Sequence, residues 1–401
     1  MTCHLNSHLP HAFTVLAAAA STPQAGGASE TVRAASVATI TATTTTNNSG
    51  QPGASVSTPA ATTAFLPAER FAVAPMVDVT DSVFRRMARL FSRRAMLYTE
   101  MIATEAVLHG RTNLLDFTPQ EAPVCLQLGG SEPRKLYEAA RIGASRGYTA
   151  LNLNAGCPSD KVQSGNFGAI LMKTPPLIAQ CYQAMQEGVA AALGNVPDAP
   201  AVPVSVKTRI GVDDLDSEEF TFKLIDTIYQ AGCRHVIIHA RKAWLHGLSP
   251  KENRTVPPLD YGRVYAIKAA YPDLFVTING GITTIDACTE QLSKVDGVML
   301  GRAVVDNPFI LTKVDREIFG DQDAPELTAD DLIAPLCDLG AQLQEEGKAV
   351  HFLYRHVLGL FMGRSGARLY RRYLSEHMTK KGASYQVLQE AYNAMLDAAN
   401  P

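Results

Sequence analysis

Cys157 stands in the run Asn154-Ala155-Gly156-Cys157-Pro158-Ser159, where a glycine and a proline flank the thiol and fix a sharp loop. A cysteine presented in this way can act as a nucleophile or as a general acid. A nucleophile needs a base within reach, and no Cys/His/Asn arrangement is legible in the chain. An ordinary thiol, with a reference pKa of about 8.5, keeps a proton to give at neutral pH. Opposite a hydride donor, that proton is what reduction of a carbon–carbon double bond requires. The competing reading of the same run is a buried loop thiol without chemistry. A second set of residues suits an anion. Gly280-Gly281 and Gly301-Arg302 combine backbone amides that can approach a ligand closely with a guanidinium that offers parallel donors to phosphate oxygens. Lys207, His239 and Gln127 form a third set of a cation, an imidazole and an amide.

These residues share one place in the pattern of the chain. From Phe65 onward, short β-rich runs recur, each followed by an amphipathic stretch. Strands are expected at Phe71–Pro75, Met96–Thr99, Pro123–Leu128, Ala150–Asn154, Pro203–Thr208, His235–His239, Phe275–Asn279 and Gly297–Leu300. Helices are expected at Asp81–Ser92, Pro133–Arg146, Pro176–Leu193, Ser217–Ala231, Tyr261–Ala270 and Thr284–Leu292, with Asp81, Ser131, Ser217 and Thr283 as caps. Alternating strands and helices over roughly 250 residues predict an α/β chain folded as a (β/α)8 TIM barrel. No GxGxxG follows the first strand, which disfavours a Rossmann unit.

In such a barrel the chemistry sits at the carboxyl ends of the strands. Those ends read Pro75-Met76, Glu100-Met101, Gln127, Asn152-Leu153-Asn154, Lys207-Thr208-Arg209, His239-Ala240-Arg241, Asn279-Gly280-Gly281 and Gly301-Arg302. Strand interiors read as apolar, so the polar ends converge on one mouth. The glycines after strands seven and eight occupy the usual phosphate position of this architecture, which implies a phosphorylated ligand, FMN being one choice. Over the pyrimidine edge of a flavin, Lys207 would stabilise an anionic reduced ring, His239 would point a second donor into the mouth, and Gln127 would pair with the ring's carbonyl and imide groups.

The chain has 401 residues, 46% hydrophobic and 19% charged, which supplies a large core and excludes whole-chain disorder. No apolar run reaches about 18 residues, so no membrane span is expected. A net charge of −3 excludes a globally basic nucleic-acid binder but not a basic face. The 7 cysteines are scattered and lack a CxxC pair, which argues for a reducing compartment and against a metal site. Residues 1–64 hold only two charged side chains, Glu30 and Arg33, and read as a disordered tail. The compartment expected is the cytoplasm, with an organelle as the alternative if that tail is a transit peptide. Residues 65–325 form the barrel. Residues 326–401 read as a helical domain with helices at Ala329–Glu346, Val350–Phe361, Ala367–Met378 and Tyr385–Asn400.

Between Arg355 and Lys381 stand seven basic residues (355, 364, 368, 371, 372, 380 and 381) and one acid, Glu376. Arg368, Arg371 and Arg372 share a helical face that could neutralise phosphates, and Tyr354, Tyr370 and Tyr373 interleave as stacking platforms for bases. Arg241, Lys242, Lys251 and Arg254 flank the mouth in a long loop after strand six that also carries Trp244. A loop of that length works as a lid or binding element.

Over roughly residues 71–376 the chain resembles the tRNA-dihydrouridine synthases, and within them the A subtype. The matching stretches are APMVDVTD (74–81), LYTEM (97–101), LQLGG (126–130), LNLNAGCPSDKVQSGNFGAILM (151–172), VKTRIGVD (206–213), IHARKAWLHGLSPKENR (238–254), INGGI (278–282) and GVMLGRA (297–303). The stretch ARKAWLHGLSPKENR points to the subtype, whose members act on uridines 20 and 20a of the tRNA D-loop. The resemblance implies an FMN enzyme reduced by NADPH, with hydride passing to carbon 6 of a flipped uracil and Cys157 protonating carbon 5. It places Pro75, Met76, Gln127, Lys207, His239, Asn279, Gly280, Gly281, Gly301 and Arg302 on FMN. It places Asn154 and Arg209 on the uracil. Arg241, Lys242, Arg368, Arg371 and Arg372 are the expected tRNA contacts. A monomer with no metal and no membrane partner is expected. An FMN barrel reductase of a free small molecule is the alternative, and the basic helical appendage argues against it.

Overall fold

The computed structural model describes residues 66–110, 113–194 and 200–399. The tail expected at 1–64 lies outside the described residues. Eight parallel strands close into a barrel in chain order. They are β1 (Phe71–Val73), β2 (Met96–Ala103), β3 (Val124–Gly129), β4 (Ala150–Asn154), β5 (Val204–Arg209), β6 (His235–His239), β7 (Phe275–Asn279) and β8 (Gly297–Leu300). The helices between them are α1 (Ser82–Phe91), α2 (Thr104–His109), α3 (Pro133–Ser145), α4 (Asp160–Ser164), α5 (Pro175–Leu193), α6 (Glu218–Gln230), α7 (Tyr261–Ala270), α8 (Ile285–Leu292) and α9 (Arg302–Asp306). The expected TIM barrel is the observed one.

Strand periodicity explains how the barrel aims its polar ends. Successive residues face opposite sides of a strand. Leu126, Leu153, Val206, Ile238, Ile278 and Leu300 face the helices in the main core. Ala72, Met96, Tyr98, Cys125, Ala150, Ile237 and Met299 fill the barrel interior. Counting on from the interior set in steps of two puts Gln127, Asn154 and His239 on the inner face at its upper end. Register does the same for Asn279, which pairs with Met299, and for Lys207, which pairs with Asn154.

One expectation fails inside the strands. Asn152, Ser205, His235 and Thr277 are buried within them, so the interior is not uniformly apolar. They are satisfied by one another: Asn152 Nδ2 donates to Ser205 Oγ at 2.8 Å, and His235 Nε2 lies 2.9 Å from Thr277 Oγ1. Inward positions of a narrow barrel meet other strands at close range, which lets neighbouring polar groups pair.

Helix ends follow local chemistry. Asp81 and Ser217 cap α1 and α6 by accepting from Phe84 N and Phe220 N. Thr284, not Thr283, caps α8. Ser131 caps nothing: α3 starts after Glu132, with Pro133 in its first turn.

Beyond the barrel come α10 (Ile333–Glu345), α11 (His351–Tyr354), α12 (Ala367–His377) and α13 (Gln386–Ala399). The helix expected over Val350–Phe361 shrinks to the single turn of α11. At Gly359 the chain crosses the end of α9 so closely that a Cβ would lie 2.2 Å from Asp306 O. Leu336, Leu343, Val357, Leu360, Leu374 and Leu388 continue the main core of the barrel. Among the described residues no helix is long and apolar enough to cross a membrane, and no His/Cys/Asp/Glu group could hold a metal.

Candidate active site at the barrel mouth

The loop after β4 is pinned through its main chain. Asn154 Oδ1 accepts from Gly156 N at 3.1 Å and Cys157 N at 3.0 Å. The next three carbonyls are each taken by a different element. Gly156 O accepts from Arg209 Nε at 2.9 Å, Cys157 O from Ala169 N at 2.8 Å, and Pro158 O from Gln163 Nε2 at 2.8 Å. Gly168 makes the second of these approaches possible, since a Cβ there would sit 2.5 Å from Cys157 O. With its backbone satisfied, the loop leaves Cys157 Sγ as its unengaged group. Of the other described cysteines, Cys125, Cys181, Cys233 and Cys288 are buried, whereas Cys337 is only half-buried.

A chain of amides runs from this loop down into the barrel. Because Asn154 Oδ1 faces two N–H donors, its Nδ2 must face away, and it donates to Gln127 Oε1 at 2.9 Å. Gln127 Nε2 then donates to Asn152 Oδ1 at 2.7 Å. Two backbone donors thus set the orientation of the whole chain. Gln127 is held with a fixed donor and acceptor at the mouth, and Asn154, the expected uracil contact, is first a shaper of the cysteine loop.

Arg209 is likewise a tie. Besides Gly156 O, it donates from Nη1 to Lys242 O at 3.0 Å and Asn253 O at 2.9 Å. It joins the end of β5 to the cysteine loop and to the loop after β6. Burial and facing cations lower its pKa to about 10.

Positive charge accumulates in the mouth. Burial, then Arg209 and Arg254, hold the Lys207 ammonium down to about 7. Its Nζ donates to Asn279 Oδ1 at 3.2 Å. His239 is buried and faces Arg209, Lys207, Arg241 and Arg254, so its pKa lies well below the usual imidazole range. The ring is neutral, and its Nδ1 has no hydrogen-bond partner. Arg241 Nε is a second buried atom without one, although its Nη1 donates to Pro257 O. Two orphan polar atoms at one mouth, where buried groups are nearly always paired, mark a place for a polar ligand.

The glycines leave room for such a ligand. Gly280 and Gly281 have φ of 109° and 75°, which a side chain would strain. A Cβ at Gly281 would lie 2.5 Å from Leu259. Gly301 is different. Its φ is −118°, and a Cβ would approach nothing closer than Met76 Sδ at 3.5 Å. Packing does not demand glycine there, and the space beside it is open to a ligand. Arg302 is exposed beside it, with Nη2 donating to Arg254 O at 3.1 Å. Pro75 and Met76 line the β1 side, half-buried.

The basic surface is narrower than its residue count. Tyr354 and Tyr370 are wholly buried, so neither can stack on a base; their hydroxyls donate to Tyr385 O and Val357 O inside the helical core. Arg355 pairs with Asp81 and Arg364 with Asp330. Lys242 pairs with Asp216 at 2.7 Å and lies over Trp244. Arg368, Arg371, Arg372, Lys380 and Lys381 are exposed. Tyr373 remains half-exposed and stacks on His377 with ring centroids 4.1 Å apart.

Sequence reasoning missed Gln163 as a tie and named Arg254 only as a flank of the mouth. Arg254 faces Cys157 and Lys207 electrostatically. Its position closing a run of polar residues after β6 was the available signal. Gln163 had none, because its partners are neighbours only in space.

A dihydrouridine synthase (Dus) family model matches residues 72–400. The tRNA-dihydrouridine(20/20a) synthase of Shewanella oneidensis is 49% identical over 325 residues, covering 81% of this chain and 93% of its own. The protein of the same name from Yersinia pestis is 48% identical over 336 residues, covering 84% and 94%. That of Pasteurella multocida is 47% identical over 322 residues, covering 80% and 95%.

Proposed function

The chain belongs to the dihydrouridine synthase family, and from that premise we propose that it reduces the 5,6 double bond of uridines 20 and 20a in the tRNA D-loop, with FMN as its flavin and NADPH as reductant. It is a flavin-dependent oxidoreductase acting on tRNA. The observation that carries the detailed reading is a thiol on a fully satisfied backbone beside a mouth with two orphan buried polar atoms.

The residues fit a flavin phosphate. His239 Nδ1 and Arg241 Nε are the orphans, and Gly301 opens the space. Gly280, Gly281, Gly301 and Arg302 would hold the phosphate, with Pro75 and Met76 alongside. Gln127, Lys207, His239 and Asn279 would meet the polar edge of the ring. When bound, the reduced flavin supplies the hydride. Cys157 holds the proton at Sγ and delivers it to carbon 5 of the uracil. Lys207, Arg209 and Arg254 face that sulfur and offset the negative charge left on it. Asn154 and Arg209 place the thiol. The RNA face would consist of Arg241, Lys242, Arg368, Arg371 and Arg372, with Lys242 resting beside Asp216. The reaction is assigned to the cytoplasm, as a chain of scattered free thiols suits.

The test is dihydrouridine content at each D-loop position of unmodified tRNA after incubation with protein and NADPH. Dihydrouridine at 20 and 20a supports the reading. Its absence from a flavin-loaded, NADPH-oxidising preparation would move the substrate to a free small molecule.

Lys207 gives a pH test. Its pKa is depressed on folding, so between about 7 and the unfolded value of 10.5 the unfolded chain holds a proton that the folded one lacks. Stability of the flavin-free protein from this group therefore rises with pH across that window, and below about 7 the cost of the buried ammonium is fully present. An anionic ligand favours the ammonium, so binding FMN at pH 8 should take up protons. Calorimetry in buffers of different ionisation enthalpy should show this, and Lys207→Met should remove it. Identical heats in all buffers for the wild type would refute it.

On the RNA side, Arg371→Glu with Arg372→Glu should weaken tRNA binding and lower the salt slope by about one unit per lost phosphate contact. The flavin spectrum should not change. Unaltered affinity and slope would remove α12 from the RNA face.

A further inference from the structure

Two loops cross the mouth from opposite sides. One follows β4 and carries Cys157. The other, residues 240–260, follows β6 and holds Trp244, Asn253 and Arg254. A single side chain bridges them at the surface. Gln163, on the short helix α4, donates one hydrogen of its Nε2 to Pro158 O at 2.8 Å and the other to Leu245 O at 2.8 Å. Pro158 adjoins the cysteine, and Leu245 lies 82 residues beyond Gln163.

The Leu245 end of this bridge is itself anchored. Leu245 N donates to Asp213 Oδ1 at 2.9 Å, and the side chain is buried. Asp213 N donates to Ala243 O at 2.8 Å. Asn253 closes the same loop from within, accepting from Trp244 N and donating to Trp244 O and Leu248 O. The loop after β6 is therefore a preformed unit, and Gln163 measures the cysteine loop against it. Arg209 makes a comparable tie lower in the mouth, but it also lies among the charges that face the thiol. Gln163 carries no charge.

The chemistry of the bridge is restrictive. Two carbonyl oxygens 2.8 Å from one atom require a group with two hydrogens on that atom. A carboxylate of the same shape would face both carbonyls with an acceptor. Asparagine is a methylene short. An amide of this length or a lysine ammonium can serve both, as the guanidinium of Arg209 does for its own two carbonyls.

We propose that Gln163 is a positioning residue for proton delivery: by locking the Cys157 loop to the loop after β6, its side-chain amide fixes where Sγ stands relative to the base that the mouth receives. This inference rests on the proposed role of Cys157 as proton donor. Gln163 acts through the loop, both hydrogens of its Nε2 being taken by carbonyls. A misplacement of about 1 Å at a reacting group can cost a factor of order 100.

The test uses the flavin-loaded full chain with Gln163→Glu, Gln163→Ala and Gln163→Lys. For Glu and Ala, the single-turnover rate of uridine reduction at saturating tRNA should fall about tenfold to a hundredfold. The KM for tRNA and the rate of flavin reduction by NADPH should stay within about twofold to threefold of wild type, since neither needs the thiol. Alkylation of Cys157 by iodoacetamide, mapped by mass spectrometry, should change severalfold in the same two variants. Gln163→Lys should recover most of the rate, having hydrogens for both carbonyls. Uridine reduction and alkylation both at wild-type levels in Glu and Ala would overturn the proposal. So would an equal loss in the NADPH half-reaction, which would mark a general folding defect. Failure of the parent reading looks different: Cys157→Ala would then form dihydrouridine normally, and the role of Gln163 would fall with it.

Discussion

Cys157→Ala is expected to lose dihydrouridine formation by a factor of about 100 to 10,000 while still oxidising NADPH and keeping its flavin colour. That range is what a positioned general acid contributes to a proton transfer. The substitution is unusually clean because the bonds that shape the loop go to main-chain atoms. Asn154, Arg209, Ala169 and Gln163 bind Gly156, Cys157 and Pro158 through their backbone N–H and C=O groups. An alanine keeps every one of these and removes only sulfur. The measurement pairs nucleoside mass spectrometry of the tRNA product with anaerobic stopped-flow reduction of the flavin. Loss of both half-reactions would indicate a disturbed flavin seat. Undiminished dihydrouridine would mean that another group supplies the proton.

Much of this site could be read before folding, for a definite reason. Lys207, His239, Gln127 and Asn279 are aimed by strand periodicity, and periodicity is a local property of the chain. β4, β6, β7 and β8 begin and end where β-rich runs begin and end, so the residues that close them are correctly placed at the mouth. Glycines after β7 needed only the positive φ that their type suggests. What could not be read depends on partners distant in sequence. Tyr354 and Tyr370 sit among arginines in the chain yet point into the helical core, where their hydroxyls donate to Tyr385 O and Val357 O. Lys242 reads as a free cation, and the chain does not show that Asp216, on the loop after β5, lies within 2.7 Å of it. Arg209 reads as a substrate contact, and nothing local shows that three of its five donors also tie carbonyls of two loops. In each case, the residue type was legible and its occupation was not.

Arg85→Met is expected to destabilise the fold by about 3–5 kcal/mol, the cost of stranding one member of a buried ion pair. Arg85 and Glu121 are 4% and 0% exposed, with Nη2 and Nε of the arginine 2.6 and 2.8 Å from Oε2. Glu121 also accepts from Ser82 Oγ and from Thr118 N and Oγ1, so it cannot leave its place when the guanidinium goes. A shift of the urea midpoint at constant m-value would report the loss. Arg85→Met with Glu121→Met should be milder than Arg85→Met alone, because no charge is then left in the core. The effect should also reach the mouth. Arg85 Nη1 donates to Thr80 O at 2.7 Å, and the Thr80 hydroxyl accepts from Met76 N at 3.0 Å. That turn seats Met76 on the β1 side of the proposed flavin site. Flavin retention after dialysis should therefore fall in the single variant under conditions where it remains folded. Retention equal to wild type in a destabilised Arg85→Met would show that the pair supports the barrel wall but not the Met76 turn.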